Sequence, residues 1–178
     1  MPIRVVVADD NVLLREGICQ LVQRHDDLEV VGTAHDLPSL LAVVDSERPD
    51  VVLTDIRMPP TQTDEGIQAA ARLRAEHPGT GVVVLSQYVN PAYVLALLGD
   101  GSAGRAYLLK ERLRHVAELM AAIREVAQGG SVIDPTVVES LVSAGSTTRA
   151  GDLDRLTARE REVLGEMAQG MSNAAIAS

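Results

Sequence analysis

The chain predicts an α/β fold: a doubly wound, five-stranded parallel sheet with helices on both faces, followed by a short helical C-terminal fragment. Three observations carry this. Short strand-like runs alternate with helical patterns through the first two thirds of the 178 residues, as repeated βα units do. The runs are nearly continuous in Val, Leu and Ile, as strands buried on both faces are. Three of them stop at charged residues: 3–8 at Asp9-Asp10, 51–54 at Asp55, and 106–109 at Lys110, which is the only lysine. Ligands of open α/β sheets sit at the carboxyl ends of the strands, so three carboxylates and one ammonium are expected to converge.

Five strands are read at 3–8, 28–34, 51–54, 81–85 and 106–109. Asn11 can cap the first helix, and Pro38 sits near the start of the second. Thr63 followed by Asp64 and Glu65 suits the third, and Asn90-Pro91 gives the fourth a cap and a first-turn proline. The fifth is expected from about Arg112 to the stop at Gly129-Gly130. A further short helix after Asp134-Pro135 runs through Val137, Val138, Leu141 and Val142. Residues 143–151 are small and polar without apolar period, a linker by composition. Beyond it, Thr157-Ala158-Arg159-Glu160 reads as a capping box that opens a helix with Val163, Leu164 and Met167 on one face. Gly170 closes that helix and Ser172 can cap another.

Composition excludes several classes. Hydrophobic content is 46%, yet there is no Phe, no Trp and only three Tyr, so the core is aliphatic and stacking on nucleotide bases is not expected. Cys19 has no disulfide partner within the chain and reads as a buried thiol. His25, His35, His77 and His115 lack zinc-ligand spacing and are expected at solvated positions. No run approaches the roughly 18 apolar residues of a membrane span, and the N-terminus enters a strand without a signal segment, so a cytoplasmic location is expected. A net charge of −9 opposes binding to phosphate backbones or anionic membranes.

Phosphoryl transfer needs a nucleophile, a divalent cation and fixed donors for the remaining negative charge. Asp9, Asp10 and Asp55 supply carboxylates for Mg2+ with one free to attack, Lys110 a point charge, and Ser86, directly after the fourth strand, a hydroxyl. Singly, each has an ordinary explanation: an acidic pair that begins a helix, a turn aspartate, a strand-end lysine, a serine after a strand. Their placement at four strand ends in this order singles them out.

That pattern resembles the receiver domain of bacterial two-component response regulators over about residues 2–128. It rests on Asp9-Asp10, Asp55 with Met58-Pro59 after it, Ser86, and Tyr107 three residues before Lys110. The resemblance implies a flavodoxin-like strand order of 2-1-3-4-5 and a signalling protein rather than an enzyme. It implies Asp55 as acceptor of a phosphoryl group from a sensor histidine kinase. Asp10, Asp55 and the main-chain carbonyl of Arg57 would bind Mg2+, with Asp9 assisting through water. Ser86 and Lys110 would hold phosphoryl oxygens, and Tyr107 would be the switch aromatic. Arg57 and Tyr88 lie where receivers tune phosphate lifetime, and a homodimer on phosphorylation is the expected output. There are departures. Glu111 follows Lys110 where many receivers have proline, so a prolyl cis bond there is not expected. Gln87 follows Ser86 where a small residue is common, narrowing the path to Asp55, and the loop 99–105 is longer than usual.

Residues 156–164, then Met167 to Asn173 and Ile176-Ala177, resemble the opening of a LuxR-type helix-turn-helix domain, and both modules together resemble a NarL/FixJ-type transcriptional regulator. The implied organisation is a receiver at 1–128, helix and linker at 129–152, and the start of the DNA-binding domain at 153–178. The recognition helix of that family would follow Ser178, so the chain reads as truncated. From Gly151 onward three arginines face five carboxylates, a net −2, so this fragment is not expected to hold DNA although the full-length protein is. Two rivals remain at this stage. A phosphatase or phosphotransferase with an aspartate nucleophile would place a second Asp where Asn11 stands. A receiver-like interaction module that is never phosphorylated would usually lose one of Asp9, Asp10, Asp55 or Lys110.

Overall fold

A computed structural model of the chain describes residues 1–147. One parallel sheet has the order β2-β1-β3-β4-β5-β6, from β1 (Ile3–Ala8), β2 (Leu28–Ala34), β3 (Val51–Asp55), β4 (Gly81–Ser86), β5 (Arg105–Leu109) and β6 (Ser131–Ile133). The first five follow the expected flavodoxin-like order, but the expected count of five is corrected to six. Ser131, Val132 and Ile133 pair with Arg105, Ala106 and Tyr107. A run of three residues carries no period of its own, and its pairing to β5 is decided in space rather than along the chain.

Among the described residues six α-helices connect or flank the strands: α1 (Val12–Gln23), α2 (Leu37–Glu47), α3 (Glu65–Glu76), α4 (Pro91–Leu98), α5 (Val116–Ala127) and α6 (Pro135–Thr147). The caps form as expected at Asn11, which accepts the Leu14 N–H at 3.1 Å, and at Asn90, which accepts the Ala92 N–H at 3.0 Å. Two starts differ. Asp64 precedes α3 but caps no backbone N–H; it accepts from Gln68 Nε2 instead, at 2.7 Å, while Glu65 turns inward. Residues 110–114 form a 3-10 turn, so α5 begins at Val116 rather than near Arg112, whose guanidinium is drawn aside to Asp134. Helix α6 starts at Pro135, directly after Asp134, in line with the expected cap and first-turn proline, but continues to Thr147, past the expected start of the linker at Ser143. Adding residues to an existing helix is cheap once it is nucleated. The readings on the capping box, the helix of Val163 to Met167 and Ser172 lie outside the described residues.

Alternation along the strands splits the core in two. Val6, Ala8, Val52, Val82, Val84, Tyr107 and Leu109 face α2, α3, α4 and α6, whereas Val5, Val7, Val51, Leu53, Val83, Leu85, Ala106 and Leu108 face α1 and α5. Cys19 is buried in the second cluster. His77 departs from its expected solvated position: its side chain is 9% exposed, with Nε2 2.8 Å from Asp45 and Nδ1 3.1 Å from Arg48. Among the described residues no helix is long and apolar enough to cross a membrane. The order of the sheet reverses between β1 and β3, and the crevice at that reversal is where the acidic residues lie.

Candidate functional site

β1 delivers Asp9 and Asp10, β3 ends in Asp55, β4 ends in Ser86, and β5 runs into Lys110, so the four strand ends place the expected residues along one rim. Asp9 is buried, with both oxygens engaged: Oδ1 accepts the Asn11 N–H at 2.8 Å and Oδ2 takes Lys110 Nζ at 3.0 Å. Asp55, also buried, accepts the Ile56 N–H at 2.7 Å on Oδ1 and pairs through Oδ2 with Lys110 Nζ at 2.9 Å. Asp10 is exposed and meets Gln62, whose Nε2 donates to Oδ2 at 2.9 Å. One oxygen from each of Asp9, Asp10 and Asp55 lies within 4.8 Å of the others. A convergent set of hard carboxylate oxygens, one of them on an exposed side chain, fits a small divalent cation.

Burial pushes the Asp55 carboxyl above its usual range, and the Lys110 ammonium beside it offsets only part of that rise. Burial pulls Lys110 down, but its pairing with Asp55 and Asp9 more than compensates and holds it above the ordinary lysine value. The lysine is therefore a fixed positive charge at neutral pH. It neutralises two carboxylates that would otherwise repel each other.

A cavity of about 130 Å³ opens beside Asp55 and Lys110, lined also by Arg57, Ser86, Gln87 and Tyr88. Arg57, Gln87 and Tyr88 are exposed at its mouth, Tyr88 at 64%. Ser86 does not point at Asp55; its Oγ donates to the Tyr88 carbonyl at 2.7 Å. Tyr107, fully buried and paired in register with Val84, donates its hydroxyl to the same carbonyl at 3.3 Å. One backbone oxygen thus receives both hydroxyls, which ties the loop after β4 to β5.

Three contributors went unrecognised in the sequence. In the sequence Glu65 reads as a helix-start residue, yet it is 1% exposed and its carboxylate accepts the N–H groups of Met58, Thr61 and Thr63 and the Thr61 hydroxyl. It thereby fixes the loop between β3 and α3, from which Gln62, at φ +60°, reaches Asp10. Gly66 lies so close to β3 that a Cβ would come within 2.2 Å of the Asp55 carbonyl oxygen. None of the three leaves a periodic signal.

Burial alone would raise the Glu65 carboxyl, but these donors bring it from 4.5 down to about 2. A folded value below the unfolded one means stability that is present above pH 4.5 and lost as pH falls toward about 2. Glu65→Gln is expected to remove that acid-side slope and to cost about 2–4 kcal/mol by stranding buried donors. Urea denaturation of both proteins at neutral and acid pH checks it; equal stabilities at pH 7 would sink the role given to Glu65.

An open parallel sheet with this acidic rim and a single, partly buried ammonium defines a signalling domain of the doubly wound α/β class. The chain belongs to the two-component response regulators: the family described as "Response regulator receiver domain" matches residues 5–133, and "Bacterial regulatory proteins, luxR family" matches residues 154–178. It is 38% identical over 176 residues to the transcriptional regulatory protein NarL of Mycobacterium tuberculosis, covering 99% of this chain and 78% of that one. It is 32% identical over 181 residues to the oxygen regulatory protein NreC of Staphylococcus carnosus, covering 98% and 81%. Among solved structures, the signal receiver domain of M. tuberculosis NarL superposes with a TM-score of 0.59 at 34% identity, covering 69% of this chain and 97% of that one. The response regulator ChrA of a heme-sensing two-component system gives 0.64 at 33%, covering 99% and 80%. The protein is thus a transcription-regulating response regulator with a receiver domain and a LuxR-type DNA-binding region.

Proposed function

We propose that Asp55 accepts a phosphoryl group from the phosphohistidine of a sensor histidine kinase in a Mg2+-dependent reaction, and that the resulting change promotes a homodimer. An Asp55 carboxylate oxygen forms the new P–O bond while the P–N bond breaks, and the imidazole nitrogen departs with the electron pair. Asp55 lines the cavity with the one lysine of the chain already against it, and this observation carries the reading. Asp10, Asp55 and the Arg57 main-chain carbonyl would hold Mg2+, with Asp9 assisting through water, since Asp9 is already engaged on both oxygens. The cation would neutralise the phosphoryl oxygens. Lys110 would move from the carboxylates to those oxygens, and Ser86 would turn its hydroxyl from the Tyr88 carbonyl to them. That turn frees one of the two bonds on the shared carbonyl and passes the change to Tyr107, the switch residue. Arg57 and Tyr88, exposed at the cavity mouth, stand where attacking water would enter and so set the lifetime of the acyl phosphate.

In this reading the receiver is 1–128, with helix and linker at 129–152 and the start of the helix-turn-helix domain at 153–178. The chemistry is self-phosphorylation and hydrolysis of its own aspartyl phosphate, not turnover of a separate substrate, in a cytoplasmic setting. A neighbour of 25% identity, RcsB, has been solved as an RcsB–DNA complex; DNA is likewise the partner of the full-length regulator, while the acidic segment after Gly151 supplies little affinity by itself. Intact mass after incubation with acetyl phosphate and Mg2+ tests the reading. Gain of one phosphoryl group, abolished by EDTA and accompanied by a shift to dimer in light scattering, is expected. No gain by a folded protein would leave an interaction module that is never phosphorylated.

A further inference from the structure

Nothing in its own backbone chemistry fixes the direction of Lys110: no proline occurs between it and Pro135. A carboxylate on a different segment does so instead. Asp134 is fully buried and its two oxygens are filled. Oδ2 accepts the Leu109 N–H at 3.3 Å and Arg112 Nε at 2.8 Å, while Oδ1 accepts Arg112 Nη2 at 3.1 Å and the Thr136 N–H at 3.0 Å. The Asp134 N–H in turn donates to the Tyr107 carbonyl at 2.9 Å. As a helix cap Asp134 would need only the bond from Thr136. The remaining contacts all go to the segment that carries Lys110, gripping the residue before it and the residue two after it. A bidentate guanidinium–carboxylate pair is also the most directional ion pair available to side chains.

Asp134 is at the same time the residue from which α6 starts. That helix buries Val137 in the cluster that holds Tyr107 and Leu109, with Leu141 packed against it, and touches α4. It also lies on the path from the receiver to the LuxR-type region at 154–178. We propose that Asp134, with Arg112, is a positioning residue for Lys110, and that through it the acidic site and α6 move as one unit. The proposal rests on the reading of Lys110 as the phosphoryl clamp. When a phosphoryl group on Asp55 draws the ammonium away from Asp9, the adjustment at Leu109 and Arg112 is felt by the carboxylate that starts α6.

The single lysine makes the test selective, because the full chain grown with 13C,15N-lysine gives one side-chain signal. Arg112→Met and Asp134→Asn are compared with wild type, each checked for fold by circular dichroism. Asp134→Asn keeps the shape, and the partly buried Arg112 it releases reaches water, so that variant folds even where Arg112→Met, which strands the buried carboxylate, does not. The Lys110 signal in Arg112→Met, and in Asp134→Asn, is expected to shift toward that of free lysine. Labelling by acetyl phosphate should slow several-fold, and the change in amide exchange of α6 that labelling produces in wild type should vanish. An unchanged lysine signal in folded Arg112→Met, or in folded Asp134→Asn where Arg112→Met does not fold, overturns the proposal. So does a wild-type response of α6 in that variant. Failure of the wild type itself to take a phosphoryl group would sink the Asp55 reading, and the lysine signal would still decide this one.

Discussion

Asp55→Asn is expected to abolish the mass gain from acetyl phosphate completely while leaving the fold in place. The amide is isosteric, and its oxygen can still accept the Ile56 N–H that Oδ1 now takes at 2.7 Å. An amide oxygen is too poor a nucleophile to form the P–O bond, and the acidic cluster loses one of its three carboxylates. Stability should move in the other direction from function. The Asp55 carboxyl titrates above its ordinary 3.8 because burial penalises the charge. The folded protein therefore binds more protons than the unfolded one just above pH 3.8, and stability falls as pH rises through that window. The asparagine variant lacks this fall, so it should be at least as stable as wild type at pH 7, with the advantage disappearing in acid. Intact mass and urea denaturation at the two pH values test both halves. Retained labelling in the variant would move the acceptor elsewhere.

Lys110→Met is expected to produce the largest loss of stability at the site. It leaves Asp9, with a side chain 1% exposed, facing Asp55 with no cation between them. Removing one partner of a buried ion pair costs about 3–5 kcal/mol, and the partial exposure of the lysine puts this case near the lower end. Two treatments should restore what is lost. Mg2+ replaces the missing positive charge, and mild acid protonates Asp55, whose raised folded-state value rises further once the ammonium is gone. The variant should therefore gain stability from Mg2+ and from a drop in pH to a greater extent than wild type does. Labelling that survives should no longer be coupled to dimerisation, because the ammonium proposed to hold the phosphoryl oxygens is gone. Denaturation curves that respond to neither Mg2+ nor pH would show that the lysine does not balance these carboxylates.

Some of this was legible from the chain alone, for a physical reason. Strands buried on both faces must be apolar throughout, so β1, β3, β4 and β5 stand out as runs, and the first polar residue after each run marks the carboxyl edge of the sheet. That edge singles out Asp9, Asp10, Asp55, Ser86 and Lys110 without reference to any contact. Local chemistry also settled the caps at Asn11 and Asn90, because a cap is satisfied within three residues of itself. Tertiary structure decided everything whose partner lies far along the chain or across a fold in it. β6 exists because β5 offers it an open edge, and the delayed start of α5 follows from a carboxylate 22 residues beyond Arg112. Glu65 and Asp134 carry no periodic mark and read as ordinary helix-start acids. Only packing shows them to be buried, and a buried carboxylate must collect whatever donors surround it, here the loop that reaches Asp10 and the turn that carries Lys110.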